Sequence, residues 1–389
     1  MISEGVVQAV KRHRVRSVLA LVLAVGVTVT AVSYLRAITA PGTDGIGVRS
    51  VEWVRSHGGS GLVRRVESIW YSHHQPARGG VADTAVVRHT PTTFSPKYLL
   101  ATVHLPAPRP LHPIITPALA GEGHWTPVGR LVGGLPAVYT TYLRPDPLHR
   151  GLVTGVAWID SDLVRATLFS GFDVPGVTGF HDVAPTSGAE NKTLVAEFNS
   201  GFRMQDAYGG YYSEGRLVYT MRPGAASLVI GADGRATVAQ WGRDATMASK
   251  PASVRQNLDL IVDRGRPVPG VSSDTTHRWG ATLGNNLFVW RSGLGVTPDG
   301  ALVYAGGAGL SVFTLANVLA HAGAVRAMEL DINTDWVDFF YFHPAPGQAA
   351  APVNGTKLVS TMAESTRRYF EPSSRDFIAL FANPRTIRH

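Results

Sequence analysis

The chain contains no cysteine, which excludes disulfides, thiolate metal sites and a cysteine nucleophile. A large exported domain can bury enough apolar surface to do without disulfides. Charge is also sparse. Asp, Glu, Lys and Arg make up 16% of 389 residues against 44% hydrophobic, the balance of a globular chain and not of a disordered one. No basic run is interleaved with aromatics. The formal charge of +8 is uneven, because Lys11, Arg12, Arg14, Arg16 and Arg36 against Glu4 put +4 in residues 1–36. The remaining +4 is spread along the chain, so nucleic acid is not expected as a partner. There is no internal repeat.

Glycine and proline are plentiful, 42 and 25 residues, which favours a sheet-rich, loop-rich body over a helical bundle. The length suits two average domains or one large one. Arginine greatly outnumbers lysine, and Ala, Gly, Val and Pro abound, a composition that points to a GC-rich bacterial genome.

One apolar run stands apart. Ser17 to Leu35 carries no charge in 19 residues, which as a helix spans roughly 28 Å, close to a bilayer core. KRHRVR precedes it and Arg36 alone follows, so the positive-inside rule places the N-terminus in the cytoplasm and the body outside. A cleaved signal peptide is the rival reading. The run is long for a signal core and Pro41 follows Thr39 and Ala40, which favours an uncleaved single-pass anchor.

The expected organisation is a basic tail over 1–16, a transmembrane anchor over 17–36, a tether and Pro-rich region over 37–120, and one domain over 121–389. Residues 40–60 are rich in Gly, Ser and Thr and read as the tether. Leu62, Val66, Ile69 and Trp70 have helical spacing and predict a short amphipathic helix. Strand signals dominate beyond residue 135, with a short helix expected over 161–169. Asp233-Gly234 and Asp299-Gly300 predict hairpin turns. A strand is expected over NNLFVWRSG, residues 285–293. Ser311 caps a predicted helix whose apolar face is Leu315, Val318, Leu319 and Ala322; Gly323 ends it and RAMELDI follows as a buried strand.

Three segments carry candidate chemistry. In AEFNSGFRM, residues 196–204, a strand ends at Asn199-Ser200-Gly201, where glycine permits a tight turn. Arg203 can fork two donors onto a phosphate or carboxylate, and Glu197 alternates onto the face of Asn199. In WRSGLGVTPDG, residues 290–300, Arg291 and Ser292 lie beside glycines that would let a ligand approach. In MELDIN, residues 328–333, Glu329 and Asp331 are two apart and share a strand face. Asp335 and Asp338 read as loop acids near Trp336. The acids at 329–338 leave calcium open as a ligand, although no EF-hand spacing occurs.

The order Asn-x-Gly-Phe, then Arg-Ser-Gly-Leu-Gly-Val-Thr-x-Asp-Gly, then a Thr-Leu-Ala helix, then Leu-Asp at a strand end resembles the phosphodiester glycosidase family over residues 190–340. The resemblance implies an α+β, mixed but sheet-rich domain with few helices, here preceded by one transmembrane helix. It also implies hydrolysis of a sugar joined through its anomeric carbon to a phosphodiester; no cofactor is expected, with calcium left open. By motif, Asn199, Gly201 and Phe202 match the family's Asn-Gly-Gly-Phe turn, Arg291 and Ser292 its Arg-Thr step, and Asp331 the aspartate of its Leu-Asp-Gly-Gly-Gly-Ser loop. Here that loop reads Leu330-Asp331-Ile332-Asn333-Thr334-Asp335, and Ser200 stands second in the turn. A glycine loop brings backbone N–H groups against phosphate, and Ile332 would alter that approach.

The expectation is therefore a membrane-anchored extracytoplasmic hydrolase acting on a phosphate-linked glycan or glycolipid of the cell envelope. Asn199, Arg291, Asp331 and Glu329 are its expected catalytic residues. Gly201, Phe202, Arg203, Ser292 and Glu197 are expected to bind substrate. Two alternatives stand beside it: a non-catalytic binder of phosphate-bearing envelope glycans, and a structural envelope protein.

Overall fold

The computed structural model describes residues 4–272, 278–280 and 287–384, so the expected strand start at Asn285-Asn286 lies outside the described residues. The chain divides into two units, Met1–Arg64 and Arg65–His389.

In the first unit, helix α1 spans Glu4–Ile38 and contains an apolar stretch, His13–Ile38, long enough to cross a membrane. The expected tether is instead ordered. Helix α2 spans Ile46–Val54, and a wide turn at Arg55–Gly59 leads on, with Gly58 at φ +86°. The reason is side-chain bonding that composition does not reveal. Arg49 donates to the carbonyls of Ile38 and Gly42 at 2.9 and 2.7 Å, and Trp53 donates to Ser33 Oγ at 3.0 Å. The predicted amphipathic helix is α3, Ser60–His73, most of which, from Arg65 on, belongs to the second unit.

In the second unit, short helical segments α4 (Tyr98–Ala101) and α5 (Met204–Ala207) and helix α6 (Val312–His321) accompany three antiparallel sheets. The strands are β1 Thr126–Val132, β2 Leu135–Leu143, β3 Thr154–Ile159, β4 Val164–Phe169, β5 Leu194–Asn199, β6 Tyr211–Ser213, β7 Arg216–Tyr219, β8 Ala226–Ile230 and β9 Ala236–Gln240. They continue with β10 Ser253–Gln256, β11 Leu260–Asp263, β12 Arg266–Pro267, β13 Val289–Val296, β14 Leu302–Leu310, β15 Arg326–Ile332, β16 Phe339–Phe342, β17 Gly355–Lys357 and β18 Phe377–Ala382. The first sheet runs β1-β2-β3-β14-β13-β15-β11-β12, the second β7-β6-β10-β8-β9, and the third β17-β16-β5-β18-β4. The body is sheet-rich with few helices, as the α+β reading anticipates. The helix expected over 161–169 is strand β4, because its residues pair along β18 from Val164–Ala382 to Phe169–Phe377. Propensity there yields to cross-strand pairing.

One core lies among the sheets. It joins Leu294, Leu302, Tyr304 and Leu330 of the first sheet, Tyr211, Leu228 and Val238 of the second, and Phe198, Phe339 and Leu380 of the third. Helix α6 covers the other face of the first sheet through Leu315, Val318 and Leu319. Ser311 and Thr314 form a reciprocal cap at its start, which satisfies donors that would otherwise be orphaned. Gly323, at φ +93°, follows its end. A Cβ on Gly293 would sit 2.9 Å from a Leu319 methyl, and one on Gly295 2.5 Å from Ala324 Cβ. These two glycines of β13 therefore let α6 and the turn after it lie against the strand. They do not open the strand to a ligand, which corrects the reading of that segment.

Candidate functional site

The carboxyl-terminal end of β5 meets β13 and β15 where the third sheet abuts the first. Asn199 ends β5, and the Asp331 backbone N–H donates to the Ser200 carbonyl at 2.9 Å, tying the turn after β5 to β15. Asn199 Nδ2 donates to Ser292 Oγ at 3.0 Å, and that hydroxyl donates to the Asp331 carbonyl at 2.8 Å. Asn199 Oδ1 accepts from Tyr304 Oη at 2.9 Å and from the Asp338 backbone at 3.2 Å. Thus Asn199, Ser292 and Asp331, 93 and then 39 positions apart in the chain, form one hydrogen-bonded group. Its members are buried; Asp331 is the most open of the three, at 7% exposure.

Arg291 lies apart from this group. Its Nη1 meets Glu329 Oε1 at 2.5 Å, and Nε donates to the Leu310 carbonyl at 2.8 Å. Both side chains are fully buried. The structure holds Arg291 as half of an internal ion pair, with no edge toward solvent. Glu329 and Asp331 do not act as neighbours on one strand face, because β15 carries an extra residue here: Gly293 faces Glu329, while Arg291 faces Ile332. Such a bulge re-aims the side chains beyond it. Asp331 accordingly turns to Arg375, with Oδ2 and Nη1 3.4 Å apart.

The remaining expected residues take distinct places. Gly201 packs against Asn257, whose Cγ would be 2.9 Å from an added Cβ; close approach, not a positive φ, requires the glycine. Asn257 clamps the turn, accepting from the Phe202 N–H at 3.1 Å and donating to the Glu329 carbonyl at 2.8 Å. Phe202 is core, buried with Ala207, Leu258, Val289 and Ile332. Arg203 pairs with Asp206 at 3.2 Å at the start of α5. Glu197 does not join Asn199. It is wholly buried, and accepts from Thr186 Oγ1 at 3.0 Å, while its other oxygen has no hydrogen-bond partner among the described residues. Burial and, secondarily, the charge of Asp338 push its carboxyl up to about 8.

Asp338, read as a loop acid, is instead completely buried just before β16, because it sits between Tyr369 Oη at 2.8 Å and Arg368 Nε at 3.2 Å. Desolvation raises it to about 7, against the opposing pull of Arg368. The sequence reading also missed Arg375, Trp336, Tyr304 and Asn257. Arg375 lies over the Trp336 ring at 4.3 Å and reaches the site from the C-terminal strand region, 44 positions beyond Asp331, where no motif marks it. Ser200 Oγ is buried without a hydrogen-bond partner among the described residues.

Asn333, second after Asp331, has φ +105°. That conformation favours glycine, and asparagine is among the residues that best tolerate positive φ. Among the described residues no group of three or more His, Asp or Glu side chains could hold a metal ion. Two surface cavities, of about 260 and 510 Å³, are lined by other residues.

Comparison with known proteins gives the class. Residues 191–331 match the family model of phosphodiester glycosidases, a span that begins before β5 and ends at Asp331. The chain therefore carries a phosphodiester glycosidase-like domain. Among solved structures it is similar to the catalytic domain of zebrafish N-acetylglucosamine-1-phosphodiester alpha-N-acetylglucosaminidase auto-inhibited by its pro-peptide, at 15% identity over 63% of this chain and 82% of that one, with a TM-score of 0.40. It is also similar to an exported protein of Burkholderia pseudomallei, at 14% identity over 61% and 75% of the two chains, TM-score 0.34. A hypothetical protein from Synechocystis matches at 11% identity over 66% and 64%, TM-score 0.32. A search of curated proteins found no match.

Proposed function

We propose that the protein hydrolyses a glycosyl phosphodiester, releasing the sugar from a phosphate-linked glycan or glycolipid outside the cytoplasmic membrane. The observation that carries this reading is that the family match spans Asn199, Ser292 and Asp331, which meet in one hydrogen-bonded group. Cleavage at an anomeric carbon passes through an oxocarbenium-like state, which a carboxylate steadies, or toward which it activates water. Asp331 takes that part. The leaving group is a phosphate ester, a weak base that needs little general-acid help. Its charge calls for fixed cations, and Arg375, 3.4 Å from Asp331, is the first candidate. Arg203, with 18% of its side chain exposed, is the second candidate.

In this reading Asn199 holds Ser292 and the end of β15 in register, and Gly201 and Phe202 set the turn. Arg291 and Glu329 brace the bulge that aims Asp331. The reaction as written uses no cofactor. The apolar helix α1 serves as a single-pass anchor with its basic end in the cytoplasm. The decisive assay is release of reducing sugar from a glycosyl phosphodiester by the parent and by Asp331→Asn. Loss on the order of 10²-fold in kcat is expected, in line with removal of one preorganised electrostatic group. Equal rates would remove Asp331 from the chemistry.

A second reading, glycan binding without turnover, draws on Ile332, which is buried with Phe202 where the family has glycine. It predicts saturable binding of a sugar phosphate by a parent protein that releases no product.

A further inference from the structure

Helix α3 is amphipathic in an unusual direction. Tyr71 packs against the cluster of Phe202, Ala207, Leu258, Val289 and Ile332, so one side of the helix is docked on the domain. At 100° per residue, Leu62, Val66, Ile69 and Trp70 fall within an arc of about 100°, and Tyr71 lies about 150° from the middle of that arc. These four side chains are 64%, 60%, 63% and 59% exposed. An apolar stripe of this size, turned away from the body that the helix serves, is not explained by packing.

We propose that this stripe is a membrane-surface docking face, with α3 lying in the headgroup region of the bilayer. Three observations select lipid as the occupant. The inference rests on the proposed anchoring role of α1: the helix begins 22 positions after Ile38, the end of a stretch apolar enough to span a bilayer, so an inserted α1 would keep α3 close to the membrane surface. Arg65 is exposed about 90° from the middle of the stripe, where it can reach anionic headgroups, whereas Arg64 lies about 170° away on the far side. Trp70, whose indole stacks on His74 at 3.8 Å, supplies the amphipathic ring favoured at the membrane–water boundary. Because Tyr71 touches the cluster that holds Phe202 and Ile332, docking of α3 would hold the turn after β5 and the end of β15 near the lipid surface.

The absence of cysteine makes the test direct, since one introduced thiol is labelled alone. The full chain is reconstituted into vesicles of phosphatidylglycerol and phosphatidylcholine. A bimane label is placed at Ile69→Cys, on the stripe, or at Ser68→Cys, off it, and acyl-brominated lipid is the quencher. Quenching at 69 should exceed that at 68 by about twofold or more, the contrast of an interfacial helix with its apolar side buried. It should weaken when phosphatidylglycerol is omitted. A Trp70→Ser, Val66→Ser double variant should reduce quenching at 69 while its thermal unfolding matches the parent's. Equal, weak quenching at both positions would overturn the proposal. So would label-to-label contact between two copies in place of lipid quenching, which would make the stripe a self-association face.

Discussion

Replacing Glu197 by glutamine isolates a buried acid whose effect on stability has a definite sign. Glu197 is completely buried, accepts one hydrogen bond from Thr186, and has its carboxyl raised from 4.5 to about 8. A folded-state value above the unfolded one means that the native protein holds the proton more tightly. The stabilisation is then complete below about pH 4.5 and is lost as pH rises to about 8. At ~1.4 kcal/mol per pH unit, the change across that window has a ceiling of about 5 kcal/mol. Glutamine keeps the acceptor for Thr186 and cannot ionise. Urea unfolding of the parent in detergent, followed by tryptophan fluorescence, should show stability falling between pH 5 and pH 8. The Glu197→Gln protein should have a shallower slope, keeping the part that the raised Asp338 carboxyl contributes below about pH 7, and should exceed the parent at pH 9. Parallel pH profiles for the two proteins would refute the reasoning, because they would mean that Glu197 is ionised throughout and held by a partner.

Other perturbations test the site and its supports. Arg291→Met leaves Glu329 as a buried carboxylate without its 2.5 Å partner and should cost about 3–5 kcal/mol in urea unfolding; adding Glu329→Gln should recover part of it. Asn199→Ala strips the Asp338 N–H of its acceptor, whereas Tyr304 keeps the Asp338 carbonyl at 3.0 Å, so a loss of about 1–3 kcal/mol is expected in the same measurement. Gly295→Ala drives a methyl to 2.5 Å from Ala324 and should destabilise by about 1–3 kcal/mol, read as a lower Tm. Arg375→Lys, which keeps charge but loses the planar stack on Trp336, should raise KM for a glycosyl phosphodiester several-fold, on the order of 1 kcal/mol, with the Tm within a few degrees of the parent's.

Local signals in the sequence were legible because local physics produces them. The hairpin turns at Gly234 and Gly300 lie at φ +81° and +93°, as Asp-Gly turns between strands require. Helix α6 has its predicted cap and ending, and β15 is buried as expected, with Glu329 and Asp331 buried along with its apolar residues. The apolar length of α1 and the spacing of the α3 stripe were likewise open to reading. The segments that gave way were those where composition stood in for contacts. Residues 40–60 look like a tether until Arg49 and Trp53 find their partners, and 161–169 looks helical until β18 pairs with it.

For the candidate site, the sequence by itself marked three segments, in β5, β13 and β15, and in the structure Asn199, Ser292 and Asp331 meet. Orientation was decided only by the tertiary structure. A single extra residue in β15 separates Glu329 from Asp331 and commits the first to Arg291. The cation beside Asp331 comes from residue 375, outside every motif. Alternation along a strand is a local property that sequence can report. A bulge, and an ion pair between residues 38 or 44 positions apart, depend on which surfaces the folded chain brings together.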